Sequence, residues 1–207
     1  QTEFKITSPD PAVLDRFGGS VSISGDYAIV GADLDDDGGN NSGSAYIFFR
    51  SGTTWTQQAK LTASDATAGD SFGQKVSISG DHAIVGAFLK DASGVSSGSA
   101  YIFSRSGTTW TETTKLTASD ATAGDRFGVA VFISGGDAIV GSYLDDDGGS
   151  DSGSAYVFSR SGATWSETAK LTASDAQEKD LFGFSVSISG NEAIVGAVLI
   201  AQDSLNT

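Results

Sequence analysis

Between residues 33 and 41 the chain reads Asp-Leu-Asp-Asp-Asp-Gly-Gly-Asn-Asn. Asp33, Asp35, Asp37 and Asn41 place side-chain oxygens at spaced positions of one short loop, and Gly38 allows the chain to turn sharply between them. Oxygens arranged in this way can converge on a single hard cation. Calcium, which takes about six to eight oxygens, partly from carbonyls and water, is the ion expected. The bidentate Glu that ends an EF-hand loop is missing, so that motif does not apply. A second acidic loop offers Asp145, Asp147 and Asp151 around Gly148, with Tyr143 at the first ligand position. The corresponding positions between them are Phe88, Lys90 and Ala92, and those after them are Val198, Ile200 and Gln202. Neither of these two sets can ligate a metal as a group. The competing reading is an Asx-rich turn whose carboxylates accept backbone N–H groups. The loop comparison alone leaves both open.

Catalytic chemistry finds less support. There is no cysteine, which removes thiol nucleophiles and disulfides together, and the single histidine, His82, follows a tight turn. No glycine-rich phosphate loop follows a strand, and no serine motif comes with a histidine partner. A face so rich in Asp offers carboxylates that could pair for glycoside hydrolysis. Nearly every Asp, however, recurs from repeat to repeat, whereas an active site usually breaks such symmetry.

The elements that carry these loops recur every 55 residues. Phe17-Gly18 returns as Phe72-Gly73, Phe127-Gly128 and Phe182-Gly183, and Trp55, Trp110 and Trp165 keep the same interval. A fixed period of this length marks a propeller, a solenoid or an array. Within one repeat, residues 20–24 alternate Ser with Val or Ile, the pattern of a half-buried strand. A Gly25-Asp26 hairpin follows, then the apolar run 27–32, as expected of a strand covered on both faces. Beyond the acidic loop come residues 43–50, a tight turn at Ser51-Gly52, and residues 53–63, which carry Lys60 and read as an exposed outer edge. The chain is all-β, and four short antiparallel strands repeated radially describe β-propeller blades. Strand directions alternate, so the two tight turns lie on one face and the two long loops on the other. Of 21 Asp, 18 fall in the long loops. The Asp two residues before each Phe-Gly (Asp15, Asp70, Asp125 and Asp180) is expected to tie its loop by hydrogen bonds, and the Phe to pack between blades.

Phe17-Gly18 followed by Val30-Gly31-Ala32 resembles the FG-GAP repeat, the blade unit of integrin α-chain propellers and of many bacterial surface proteins. The runs Asp-Asp-Asp-Gly-Gly…Ser-Gly-Ser-Ala-Tyr-Ile-Phe and Trp-Thr-Gln-Gln-Ala-Lys-Leu-Thr-Ala-Ser-Asp are similar to the bacterial variety. In integrins the calcium loop lies between the first two strands of a blade. Here that connection is a two-residue turn, so the integrin ligands do not carry over and calcium rests on the loop's own chemistry. The resemblance implies blades at 17–71, 72–126 and 127–181. Residues 1–16 then supply the outer strand of a split blade, and 182–207 supply the inner two strands of an incomplete one. The ring is expected to be completed by further blades or by another chain.

A net charge of -14 and 21 Asp against 5 Glu argue against nucleic acid as a partner. No apolar run approaches the length of a membrane span, so insertion is not expected. The first residue is Gln1, which fits a processed N-terminus. The function expected is a non-catalytic extracellular or cell-surface module for adhesion or surface assembly, binding a protein or glycan, with calcium stabilising its loops. The alternative is a glycan-acting enzyme or lectin that uses the acidic face.

Overall fold

The computed structural model describes residues 3–198, which form strands and turns without a helix. The first sheet contains β1 (Val21–Ser24), β2 (Tyr27–Ala32), β3 (Ser44–Ser51) and β4 (Thr54–Leu61). The second contains β5 (Val76–Ser79), β6 (His82–Ala87), β7 (Ser99–Ser106) and β8 (Thr109–Leu116). In the third are β9 (Ala130–Ser134), β10 (Asp137–Ser142), β11 (Ser154–Ser161) and β12 (Thr164–Leu171). The fourth has two described strands, β13 (Ser185–Ser189) and β14 (Glu192–Gly196). Each sheet runs in sequence order with antiparallel neighbours, as propeller blades do, and the inner strands β1, β5, β9 and β13 lie side by side. Among the described residues the blades do not close into a ring.

The tight turns follow from one glycine each. In Ser24↔Tyr27 the two connecting residues are Gly25 and Asp26, and Gly25 has φ +58°. Positive φ at the first turn residue alone is the II′ geometry, whose twist matches that of the flanking strands. The second turn is Gly52-Thr53, one residue later than Ser51-Gly52, because Ser51 still pairs with Thr54.

Two devices join the blades. Phe72 and Phe127 are fully buried in clusters that combine residues of two successive sheets, such as Ile29, Ile47 and Leu61 with Val76, Val85 and Tyr101. Burying a side chain of this size contributes roughly 1.5–3 kcal/mol. The Phe72 N–H donates to the Ser42 carbonyl of the preceding blade, while the Gly73 N–H donates to Gly86 of its own. Gly31 is required at this joint, since a Cβ there would lie 1.9 Å from the Gly73 carbonyl oxygen. The second device is a serine ladder. Ser20, Ser22 and Ser24 accept from the N–H groups of Val76, Ile78 and Gly80 at 3.1, 3.2 and 3.0 Å. Ser77 and Ser79 repeat this toward Ile133 and Gly135. These N–H groups belong to the open edge of each inner strand, which would otherwise be left unpaired.

Residues 3–8, expected as an outer strand, form no strand, because no described strand stands beside them to complete a ladder. Ile6 instead packs with Phe17 and Trp55 against Val30, Tyr46 and Phe48. The outer-edge reading of β4 also needs correction at Lys60. Its side chain is 17% exposed and turns into the long-loop face, drawn there by carboxylates.

Candidate functional site

The loop at 33–43 is held by its own backbone before any ligand is considered. Gly43 N–H donates to the Asp35 carbonyl at 2.8 Å, and Gly38 N–H donates to Ser42 Oγ at 2.9 Å. Asp36, outside the alternating pattern, accepts from the Asn41 N–H at 2.7 Å, and Asn41 takes φ +54° to reach it. The third blade repeats these bonds with Asp146 and Asp151. Asn41 and Asp151 therefore close their loops through the main chain.

Asp35 and Asp37 do converge, on a lysine. Lys60 Nζ lies 3.1 Å from Asp35, 2.5 Å from Asp37 and 2.8 Å from Asp10, which comes from the loop before the first blade. Asp35 also accepts from Ser44 Oγ at 3.0 Å. The Tyr46 hydroxyl sits 2.8 Å from Asp10 and 2.9 Å from Asp35. It has one proton to give to two carboxylates, and the ammonium, 5.1 Å from the Tyr46 ring centroid, compensates the other. In the third blade Lys170 meets Asp120 at 2.6 Å, Asp145 at 3.1 Å and Asp147 at 2.5 Å, with Tyr156 between Asp120 and Asp145.

The second blade solves the same problem with the charges exchanged. Lys90 stands where Asp35 and Asp145 stand, buried, and donates to the Asp65 carbonyl at 2.5 Å and to Asp70 at 3.0 Å. Lys115, the counterpart of Lys60, keeps Asp65 at 2.7 Å, and Tyr101 donates to Asp65 at 2.7 Å.

Asp33 does not join Asp35. It is buried and pairs with Arg16 at 3.1 Å. In the third blade Arg126 Nη1 donates to the Tyr143 hydroxyl at 2.6 Å instead. The Asp residues ahead of Phe-Gly tie their loops: Asp15, Asp70, Asp125 and Asp180 accept from the N–H three residues earlier at 2.6, 2.7, 2.6 and 2.7 Å. Phe17, Gly18, Phe182 and Gly183 occupy the joint positions of the first and fourth blades, and Gly18 and Gly183 donate to Gly31 and Gly196.

Titration follows the geometry. The Lys60 hydrogen bond holds the Asp10 carboxyl below the usual carboxylate range. Burial pushes Asp35 up, but Tyr46, Lys60, the Asp37 N–H and Ser44 outweigh it, and the net direction is down. Asp120 behaves likewise through Lys170 and Tyr156, and Asp65 through Lys115 and Tyr101. Burial lowers the Lys60 and Lys170 ammonium groups, yet their carboxylate partners prevail and raise both. Asp125, which has no lysine, is pushed up by burial and by nearby Asp145 and Asp146.

Asp120, Asp145 and Asp147 bring carboxylate oxygens within 4.8 Å of one another, close enough for an acidic group to hold a metal ion. Lys170 already bonds all three. A calcium shell needs about six oxygens or more at roughly 2.3–2.6 Å, so an ion could enter only with the lysine displaced. As arranged, the residues fit an ammonium and not a calcium ion. The loop-ligand pattern does not include Asp10, Asp120, Tyr46, Tyr156 or the two lysines. Their signal was present, since Asp, Tyr and Lys recur at these columns in phase with the repeat. The fourth-loop positions Ile200 and Gln202 lie outside the described residues.

His82 is a cross-strand neighbour of Ser104, with Nδ1 2.9 Å from Ser104 Oγ and its ring edge-on to Trp165. Burial and nearby Arg160 push its pKa down. Trp110 and Trp165 are buried, and Trp110 Nε1 donates to Gln58 of the preceding blade at 3.0 Å.

The family model described as the FG-GAP repeat matches residues 1–48, 55–103, 110–158 and 165–207. The second and third matched units begin near an outer strand and end in the third strand of the next sheet, so the sequence unit straddles two blades. No curated protein matches the chain.

Proposed function

The chain belongs to the FG-GAP repeat family, and on that basis we propose that it is a non-catalytic binding and structural module. It works outside the cell or at its surface and presents the long-loop face to a protein or glycan. One observation carries this reading. The aspartates at the centre of that face are taken up by lysine, tyrosine and backbone donors in each of the three complete blades. Groups so engaged stiffen loops; they do not stand ready as a general acid or base. FG-GAP repeats are typically extracellular, and no helix among the described residues is long and apolar enough to cross a membrane.

Calcium, suggested by the spelling of the loops, has a rival already in place. We take Lys60 and Lys170 as the resident cations, with calcium able to compete only weakly. Val21 and Ile23 are 67% and 65% exposed, whereas their counterparts Val76 and Ile78 are buried under the preceding blade. A further blade, from elsewhere in the protein or from another chain, is the natural cover for that face.

The test is to screen the chain against immobilised extracellular proteins and glycans, and in parallel against chromogenic glycosides. Binding without turnover is expected, unchanged by a chelator. Hydrolysis abolished by a single Asp substitution on the long-loop face would overturn the reading.

A further inference from the structure

The four blades are near copies, so a place where one copy loses its internal partner is informative. The residue before each Phe-Gly, in positive φ throughout, is Arg16, Ser71, Arg126 and Leu181. The residue that faces it across the blade is Asp33 in the first copy and Tyr143 in the third. Arg16 is thus neutralised by a buried carboxylate. Arg126 makes one neutral hydrogen bond and has no carboxylate within 4.0 Å among the described residues. Lys75, nearby, has none either among the described residues.

Both cations line a cleft of about 540 Å³ whose other walls include Gln74, Phe88, Tyr143 and Phe184. The Arg126 guanidinium lies 5.8 Å from the centroids of both Phe88 and Tyr143, and Phe184 stands edge-on to Tyr143 at 5.8 Å. Phe184 is 48% exposed. Beside Arg16, by contrast, Asp33 holds the position of Tyr143, and Gln74 of the following blade holds that of Phe184. The cleft lies at the inner end of the long-loop face, because its polar and aromatic residues come from the connections between blades and the starts of the acidic loops.

We propose that this cleft binds an acidic saccharide, a sugar carrying a carboxylate. The proposal rests on the reading of this face as a partner-binding surface and names the partner's chemistry. The carboxylate would bond the Arg126 guanidinium, for which charge-assisted contacts are strong, with Lys75 adding charge. The sugar's C–H face would lie on Phe184 and Phe88. A chain with a net charge of -14 repels anions in general, so an anion bound here is bound by this local pair of cations. An acidic peptide supplies the carboxylate but no C–H ring face for Phe184 and Phe88, which is why the sugar is favoured.

The test is calorimetric titration of the 207-residue chain with an oligouronate, with the neutral oligosaccharide of equal length, and with an oligoglutamate peptide. The oligouronate should bind at least ten-fold more tightly than either of the others, and more weakly as salt is raised. Arg126→Gln should reduce that affinity at least ten-fold. So should Phe184→Ala, at an exposed position where the fold does not depend on the ring. Arg16→Gln should leave it unchanged. No oligouronate binding, equal binding of the neutral sugar or the peptide, or full binding by Arg126→Gln would each overturn the proposal. These outcomes leave the broader reading standing, because only turnover of a glycan speaks against a non-catalytic module. Turnover lost in an acidic-loop variant while oligouronate affinity persists would sink that reading and keep the cleft.

Discussion

The second and third blades place positive charge at the same point of the long-loop face by opposite means. In the third, Asp145 comes from the acidic loop and Lys170 reaches over from the outer strand to meet it. In the second, the loop itself supplies Lys90, and the carboxylates come from Asp65 and Asp70 beside it. The loops keep similar backbone paths: Gly98 donates to the Lys90 carbonyl as Gly153 does to Asp145, at 2.9 and 2.8 Å. A calcium loop could not tolerate such an exchange, because its ligand would become a cation. A clasp of fixed charges tolerates it if the counter-charges move with it. The difference shows that the loop architecture comes first and that electrostatic neutrality is satisfied locally around it.

The comparison breaks most severely at Lys90. Lys90→Ala leaves Asp70 buried without its ammonium, and loss of one partner of a buried pair costs about 3–5 kcal/mol. The Thr67 bonds to Asp70 place the expectation near the lower end. Lys90→Asp should cost less than Lys90→Ala, since Lys115 and Tyr101 can then form the clasp of the third blade. Urea midpoints of the two variants decide the order, and a costlier Lys90→Asp would deny that the clasps are interchangeable.

Lys170→Met comes next, at roughly 2 kcal/mol, because Lys170 is partly exposed and water screens part of the loss. This variant frees Asp120, Asp145 and Asp147. Millimolar calcium should raise its melting temperature while leaving that of the unsubstituted chain in place. A rise of equal size in both would mean that the lysine is not the resident cation.

The smallest effect is the dependence on pH. Asp10, Asp35, Asp65 and Asp120 have lowered folded-state pKa values. Their contribution is present above the unfolded value, near about 4, and is lost as pH falls through the lowered ones. Lys60 and Lys170 are raised, so their contribution is complete below about 10.4 and is lost as pH rises through the raised values. Asp125, raised, works against the acid limb by favouring the folded state on protonation. Urea midpoints from pH 3 to 11 should show a plateau between these limits. A steep slope near pH 7 would contradict the assignment.

Much of this architecture was legible beforehand for a physical reason. Strand alternation and glycine turns are local, and a 55-residue period shows each local signal several times. The boundaries of β2, the all-β class and the loop-tying role of Asp15, Asp70 and Asp125 follow from such signals. The acidic loops were legible only as a choice between ligands and capping groups. Asp36 chose capping, because the Asn41 N–H of its own loop lies closer than any distant donor. Asp35 and Asp37 chose a lysine that is 25 and 23 residues away in sequence. The serine ladder leaves no local signal beyond strand alternation, since its partners lie 56 residues on.

The sequence by itself determined the repeat, the order of strands and turns, and which face carries the acid, because each depends on neighbours within a few residues. Only the tertiary structure decided what the acid does. Charges interact through space, and the blade brings Asp10, Asp35, Asp37 and Lys60 to one point from three separate stretches of chain. It also decided that Arg16 is neutralised while Arg126 faces an open cleft, since that depends on the residue set opposite each arginine by the packing of the loops.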